Sequence, residues 1–383
     1  MRIGIITIHR LVNFGTALQA FALQHYLQKT TSNQVELIDY VFPNSYHKRR
    51  KTFIKRMRGI VRFALDCLFE KKLEYNKKFR DFQNNYFILS GKRYADVTSL
   101  SDNPPVYDIY ITGSDQVWNT KTVNNDPNFY LCFAPKDKPK IAFSACFANA
   151  TLDNKYKSLI KEWLSEYKYI GVREKSAVDI IKDLHIPKDI LVRNTCDPTL
   201  LLSKEDYIKI SSESKINIEG NYILVYMLMY AFNPYPALEC ILEQIEKQTG
   251  LPIIVIGERR FRYKGKYKFI KGIGPSDFLW LFEHASYVVT SSFHGTMFSL
   301  IFRKPFIAIS PCTGDSRIKD VLEKIGLTNN LVFNNNEEPN ININNPYTES
   351  VERKIENFID ESKNFLDTAI TQANYSAQKR LNK

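Results

Sequence analysis

The hydrophobic pattern of the chain falls into two series of short apolar runs, with segments of helical periodicity between them. Arg2 to Ile8 reads as a buried strand. Asn13-Phe14-Gly15-Thr16 turns the chain into a helix with Ala17, Leu18, Phe21, Ala22 and Leu27 as apolar positions, and Gln34 to Tyr40 is the next strand. Further strands are predicted at 106–111, 140–146, 169–172 and 190–192, with a helix over 158–167. From about 200 to 221 the chain is polar and weakly periodic, which marks a linker. The alternation then restarts. Strands are expected at 222–228, 252–257, 287–290 and 306–309, and helices at 236–248, 276–283 (Ser276 as N-cap) and 296–302. Asp315-Ser316-Arg317 opens another helix with Val321, Leu322 and Ile325 on its apolar face. Residues 329–345 form an Asn-rich loop and 350–373 a closing helix.

Strands alternating with helices predict an α/β fold with parallel sheets. The restart after 221 predicts two Rossmann-like doubly wound domains facing a central cleft. The expected divisions are 1–205, carrying a helical insertion over about 46–93, then 206–345, then a closing helix and tail over 346–383 that crosses back to the first domain.

The chain of 383 residues is 44% hydrophobic, enough for two cores. Its six cysteines show no CxxC spacing, which argues for reduced thiols and against a disulfide frame or a zinc site. No P-loop and no GxSxG elbow occurs, and neither a cofactor nor a metal is expected. No apolar run approaches the roughly 18 residues of a membrane span, and the opening MRIGIITIHR is too short and polar for a signal segment. The expected location is cytoplasmic. The net charge is +12, and residues 46–93 hold 15 lysines and arginines against 4 acids, an excess of 11. Within that stretch, 49–74 reads as a basic amphipathic helix. It suits either a solvated face on its own domain or a peripheral contact with the inner face of the plasma membrane. Nucleic acid is not expected as a partner, because no RNP-like or zinc pattern accompanies the charge.

Candidate chemistry collects at predicted strand ends, where open α/β sheets bind ligands. His294 follows the 287–290 strand at a helix start, where free N–H groups favour an anion and an imidazole suits proton transfer near neutrality. Asp115, in Gly113-Ser114-Asp115, suits a general base, a sugar-hydroxyl acceptor or a helix cap. Arg173 suits a carboxylate or phosphate fork, or an internal ion pair. The Asn13 turn is either a plain strand-to-helix turn or a site for an anion or sugar. The cluster Arg259, Arg260, Arg262, Lys264, Lys266 and Lys268 is a phosphate site or a solvated loop.

Five blocks, in order, resemble the polysaccharide pyruvyltransferase family: Asn13-Phe-Gly-Thr-Ala-Leu-Gln-Ala-Phe-Ala-Leu-Gln24, Thr112-Gly-Ser-Asp-Gln-Val-Trp-Asn119, Val172-Arg-Glu-Lys-Ser176, Asp197-Pro-Thr-Leu-Leu201, and Ser291-Ser-Phe-His-Gly-Thr-Met-Phe-Ser299 with Lys304-Pro-Phe306. The resemblance implies a GT-B-like fold. It also implies transfer of a pyruvyl group from phosphoenolpyruvate to sugar hydroxyls of a cell-surface polysaccharide precursor, forming a pyruvate ketal. His294 is then the acid–base residue and Asp115 a second catalytic group. Arg173, Ser291, Ser292, Gly295 and Arg317 fall to the donor. Asn13, Gly15 and Gln116 fall to the acceptor, a sugar or lipid-linked saccharide. Other branches carry an Arg two residues before the His, where this chain has Ser292; Arg317 and the 259–268 cluster are the candidates to replace it. Two further readings compete: a GT-B glycosyltransferase using a nucleotide sugar, and a non-catalytic binding protein of a glycan-assembly complex.

Overall fold

The computed structural model describes residues 1–42, 71–257, 261–312, 317–339 and 341–381, with side chains up to 375. The basic helix expected over 49–74 lies almost wholly outside the described residues, as do Arg259 and Arg260. The described residues form two compact units. The first holds 1–42, 86–201 and 356–381, and the second holds 71–85 and 202–355.

The first unit is built on six parallel strands: β1 Arg2–Ile6, β2 Gln34–Leu37, β3 Ile109–Thr112, β4 Lys140–Ala145, β5 Tyr169–Val172 and β6 Leu191–Asn194, in the order β2-β1-β3-β4-β5-β6. The chain leaves β1 toward β2 on one side and returns to β3 on the other. The crevice where the winding reverses therefore lies at the carboxyl ends of β1 and β3. β3 and β4 are buried along their whole length, as expected of parallel strands covered on both faces. The helix Phe14–Thr30 is buried on nearly every side, so its glutamines must find internal partners. The Gln19 amide donates to Thr7 Oγ1 and the Ile8 carbonyl, and the Gln24 amide donates to the carbonyls of Val35 and Ile88. Polar positions inside an apolar helix here tie it to the sheet.

The second unit repeats the plan with β7 Ile223–Met227, β8 Ile253–Gly257, β9 Tyr267–Phe269, β10 Tyr287–Thr290, β11 Phe306–Ser310 and β12 Leu331–Phe333, in the order β12-β11-β10-β7-β8-β9, again all parallel. Its winding reverses between β7 and β10, and Tyr226 and Thr290 are register partners there.

Several sequence expectations shift. The 200–221 stretch contains the helix Lys204–Ser211, closed by a capping box between Ser203 and Asp206. Ser276 is not a cap: the helix Pro275–His284 starts from Gly274, whose N–H donates to Asp277 Oδ2 at 2.8 Å. Strand β12 lies inside the Asn-rich segment, and β9 overlaps the end of the basic cluster at Lys268. The helix Lys72–Tyr86, placed by sequence in the first domain's insertion, packs with the second unit, where Lys78 pairs with Asp277 at 2.9 Å. The closing helix runs from Glu349 to Leu381. Its start belongs to the second unit, through Arg303 and Glu352 at 2.8 Å. Farther along it belongs to the first, where Ser362 Oγ accepts from Cys196 N and the Tyr26 hydroxyl meets Asp367. No described helix is long and apolar enough to cross a membrane.

Candidate functional site

In the second unit, β10 ends at Thr290, and two serines carry the chain into the helix Phe293–Ile301. Each hydroxyl has a backbone partner. Ser291 Oγ accepts from Leu228 N at 2.8 Å, which ties this turn to the loop leaving β7. Ser292 Oγ accepts from Gly295 N at 3.2 Å and caps the helix. Thr290 Oγ1 donates to the Tyr226 carbonyl and accepts from Ser292 N. Ser291, Ser292 and Gly295, expected at the donor, are therefore the residues that build the turn. The helix begins at Phe293, three residues earlier than the pattern predicts, so His294 lies in its first turn. The His294 ring is half-buried and sits edge-on to Phe293 at 5.3 Å. The Arg317 guanidinium carbon lies 6.0 Å from the centre of the Phe293 ring, within cation–π range. One aromatic ring thus contacts both the candidate acid–base group and a candidate donor-binding cation.

In the first unit, the groups at the β1/β3 crevice share one network. Asp115 is 9% exposed and holds a positive φ of 74°. Its Oδ2 accepts from Thr16 Oγ1 at 2.8 Å, and its Oδ1 accepts from Gln116 N at 2.8 Å. Asn13 caps the first helix through Thr16 N, Gly15 is buried in that helix's first turn, and the Gln116 side chain accepts from Asn119 at 2.7 Å. Asp115, Gln116 and the Asn13–Thr16 turn thus come together. Thr16, in the Asn13–Gln24 block, is a member of this network that the sequence pattern does not single out; its signal is a hydroxyl in the first turn of a helix that faces a strand end.

Of the two readings open for Arg173, the structure shows the internal ion pair. Arg173 is 1% exposed, and its Nη1 pairs with Asp197 Oδ2 at 3.0 Å. Burial alone would favour loss of its proton, but Cys146, Asp197, Asp115 and Glu174 outweigh that and push its pKa up. This is an interior ion pair, with no exposed guanidinium to offer a donor. Ser114 Oγ donates to the same Asp197 oxygen at 3.2 Å, while Asp197 Oδ1 accepts from Thr199 N and Oγ1. The neighbouring Glu174 Oε1 accepts from the N–H groups of Phe147 and Ala148. Arg173 and Glu174 therefore hold together the loops that follow β3, β4 and β6.

A second charged cluster at the same sheet edge was missed. Arg10 grips Asp39 through Nε at 2.8 Å and Nη2 at 2.6 Å, and His9 Nε2 lies 3.4 Å from Asp39 Oδ1. The signal was a His-Arg pair directly after the first strand. Among the described residues, no group of three or more His, Cys, Asp or Glu side chains is arranged to hold a metal ion.

Residues 13–313 match the family described as polysaccharide pyruvyl transferase. The chain belongs to that family. A comparison with curated proteins finds no match. Among solved structures, the UDP-GlcNAc 2-epimerase of Methanocaldococcus jannaschii, in complex with UDP-GlcNAc and UDP, is similar with a TM-score of 0.50 at 14% identity, over 93% of this chain and 99% of that one. A second structure of the epimerase from that organism gives a TM-score of 0.50 at 14% identity, over 94% and 93%. Identity that low speaks to the fold alone, and it bears out the GT-B-like expectation of two α/β domains. The family match spans the first-unit network, the Arg173–Asp197 pair and the His294 turn, so the pyruvyl transferase blocks coincide with the residues that shape the two sheet edges.

Proposed function

We propose that the chain transfers the pyruvyl group of phosphoenolpyruvate to two hydroxyls of a sugar in a polysaccharide precursor, forming a cyclic ketal. One observation carries this reading. His294 is half-buried in the first turn of a helix at the switch point of the second sheet, inside the span matched to the family. The positive end of that helix and Arg317 suit the donor's carboxylate and phosphate. The His294 imidazolium gives its proton to the donor's methylene carbon, and the double bond's electrons form the new C–H bond. Positive charge develops on the neighbouring carbon. A sugar hydroxyl oxygen bonds to that carbon, and its proton returns to the imidazole. A second hydroxyl then bonds to the same carbon as the C–O bond to phosphate breaks, and its proton leaves with the phosphate. The products are the ketal and inorganic phosphate.

On the first unit, Asp115 suits the orientation of an acceptor hydroxyl. Its Oδ2 accepts from Thr16 and its Oδ1 from Gln116 N, and a carboxylate oxygen has a second lone pair with which to accept from a sugar hydroxyl. Arg173 acts there by holding the edge in shape through Asp197.

The test is to incubate the chain with phosphoenolpyruvate and acceptors containing galactose or N-acetylmannosamine, reading phosphate release and a new ketal methyl signal by proton NMR. Both signals are expected with phosphoenolpyruvate. Nucleotide release from a nucleotide sugar, with no phosphate release from phosphoenolpyruvate, would place the chain with glycosyltransferases instead.

A further inference from the structure

The geometry points to a saccharide-binding subsite in the second unit: a cavity at the carboxyl ends of β7 and β8 that takes a neutral sugar ring of the acceptor glycan. This deepens the proposed reaction and rests on it only for the statement that the sugar belongs to the acceptor. The cavity has a volume of about 1050 Å³ and is lined by Phe232, Asn233, Tyr235, Glu239, Arg262 and Tyr263. Three aromatic rings with an amide, a carboxylate and a guanidinium make a mixed wall. The ring faces suit the C–H faces of a pyranose, and the polar groups suit its hydroxyls.

The walls are held before any ligand arrives. The Tyr235 hydroxyl donates to the Arg262 carbonyl at 2.5 Å and accepts from Arg262 N at 2.7 Å, which clamps the loop after β7 to the loop after β8. The Tyr263 hydroxyl bonds to Glu246. Rings fixed in this way lose little freedom on binding.

The charges favour a neutral ligand over a nucleotide. Glu239 stands in the first turn of the helix Ala237–Thr249, where a phosphate would otherwise sit, and Lys264 already pairs with it at 3.3 Å. The N–H groups of Leu238, Glu239 and Cys240 go to the carbonyls of Pro234 and Pro236. Among the described lining residues this leaves Arg262 as the one cation without an acidic partner, too little charge for a diphosphate.

One loop, leaving β7, serves both the cavity wall and the His294 turn. Leu228, bonded through its N–H to Ser291, is followed directly by Met229, which contributes to the cavity wall. A glycan residue held there would lie along the same sheet edge as the histidine.

Saturation-transfer NMR on the full chain tests this, with galactobiose, galactotetraose and an N-acetylmannosamine disaccharide as probes and UMP and UDP as rivals. Saturation is expected to pass to sugar protons. Phe232→Ala should weaken binding at least tenfold and Glu239→Gln about threefold to tenfold, each in a variant shown by a cooperative unfolding transition to be folded at the assay temperature. His294→Gln should leave this binding unchanged. Saccharide binding lost in the Phe232 and Glu239 variants supports the subsite even if phosphoenolpyruvate is not turned over, a result that would sink only the proposed reaction. Binding of none of the three saccharides, binding that both variants leave intact, or displacement of the sugar by micromolar UDP would each overturn the subsite.

Discussion

The Cβ atom that Gly295 lacks would lie 2.3 Å from Thr290 Oγ1. Thr290 cannot withdraw easily, because its hydroxyl bonds to the Tyr226 carbonyl and to Ser292 N. The first turn of the His294 helix therefore touches β10 at a point where only glycine fits. Gly295→Ala should destabilise the second unit by about 1–3 kcal/mol, as overpacking of a filled interior does. It should also lower activity by moving His294. Urea unfolding checks the first effect; an unchanged midpoint would show that the turn has room to spare.

Arg173 and Asp197 form an ion pair whose side chains have no exposed surface. Removing one partner leaves a buried charge, which costs about 3–5 kcal/mol. Arg173→Met should lower stability by about that amount, and adding Asp197→Asn, which removes the charge but keeps an acceptor for Thr199, should restore part of it. A donor-contacting Arg173 would behave differently: the single variant would keep its stability and raise the Michaelis constant for phosphoenolpyruvate. Unfolding curves of the two single variants and the double variant separate the cases.

Acid should weaken the first unit through Asp39. Burial alone would raise its pKa, but hydrogen bonds from His9 and Arg10 and the nearby positive charge hold it well below the ordinary carboxylate range. The unfolded chain therefore takes up this proton first, near a pH of about 3.9. The pair's contribution is full above that pH and is lost as the pH falls further, through the depressed folded value. Asp39→Asn should lower the urea midpoint at pH 7, and the deficit should shrink at pH 3. A deficit of equal size at both values would show that Asp39 contributes no proton linkage.

Legibility in the sequence followed how strongly each element was patterned. Tyr169–Val172 and Tyr287–Thr290 were readable to the residue because a buried parallel strand is a bounded apolar run. Strand β12 was not, because Leu331–Phe333 is short and set among asparagines; it forms by pairing with β11. The helix Lys204–Ser211 was missed because its signal is a cap, Ser203 with Asp206, and not an apolar stripe. At the site, His294 was visible from its place after a strand, while the role of Arg173 was not. An arginine at a strand end reads alike whether it faces a ligand or a buried Asp197, and only burial separates the two. Thr16 reached Asp115 across 99 residues of sequence, a distance no local pattern spans.

The central claim is that His294 moves the proton in pyruvyl transfer. The most direct measurement is the steady-state rate of phosphate release from phosphoenolpyruvate by His294→Gln beside the parent chain, with unfolding midpoints recorded for both. A general acid–base residue contributes about 10²–10⁴-fold, so the rate should fall by that factor while the midpoint stays in place. A rate within a few-fold of the parent, in a folded variant, would contradict the account.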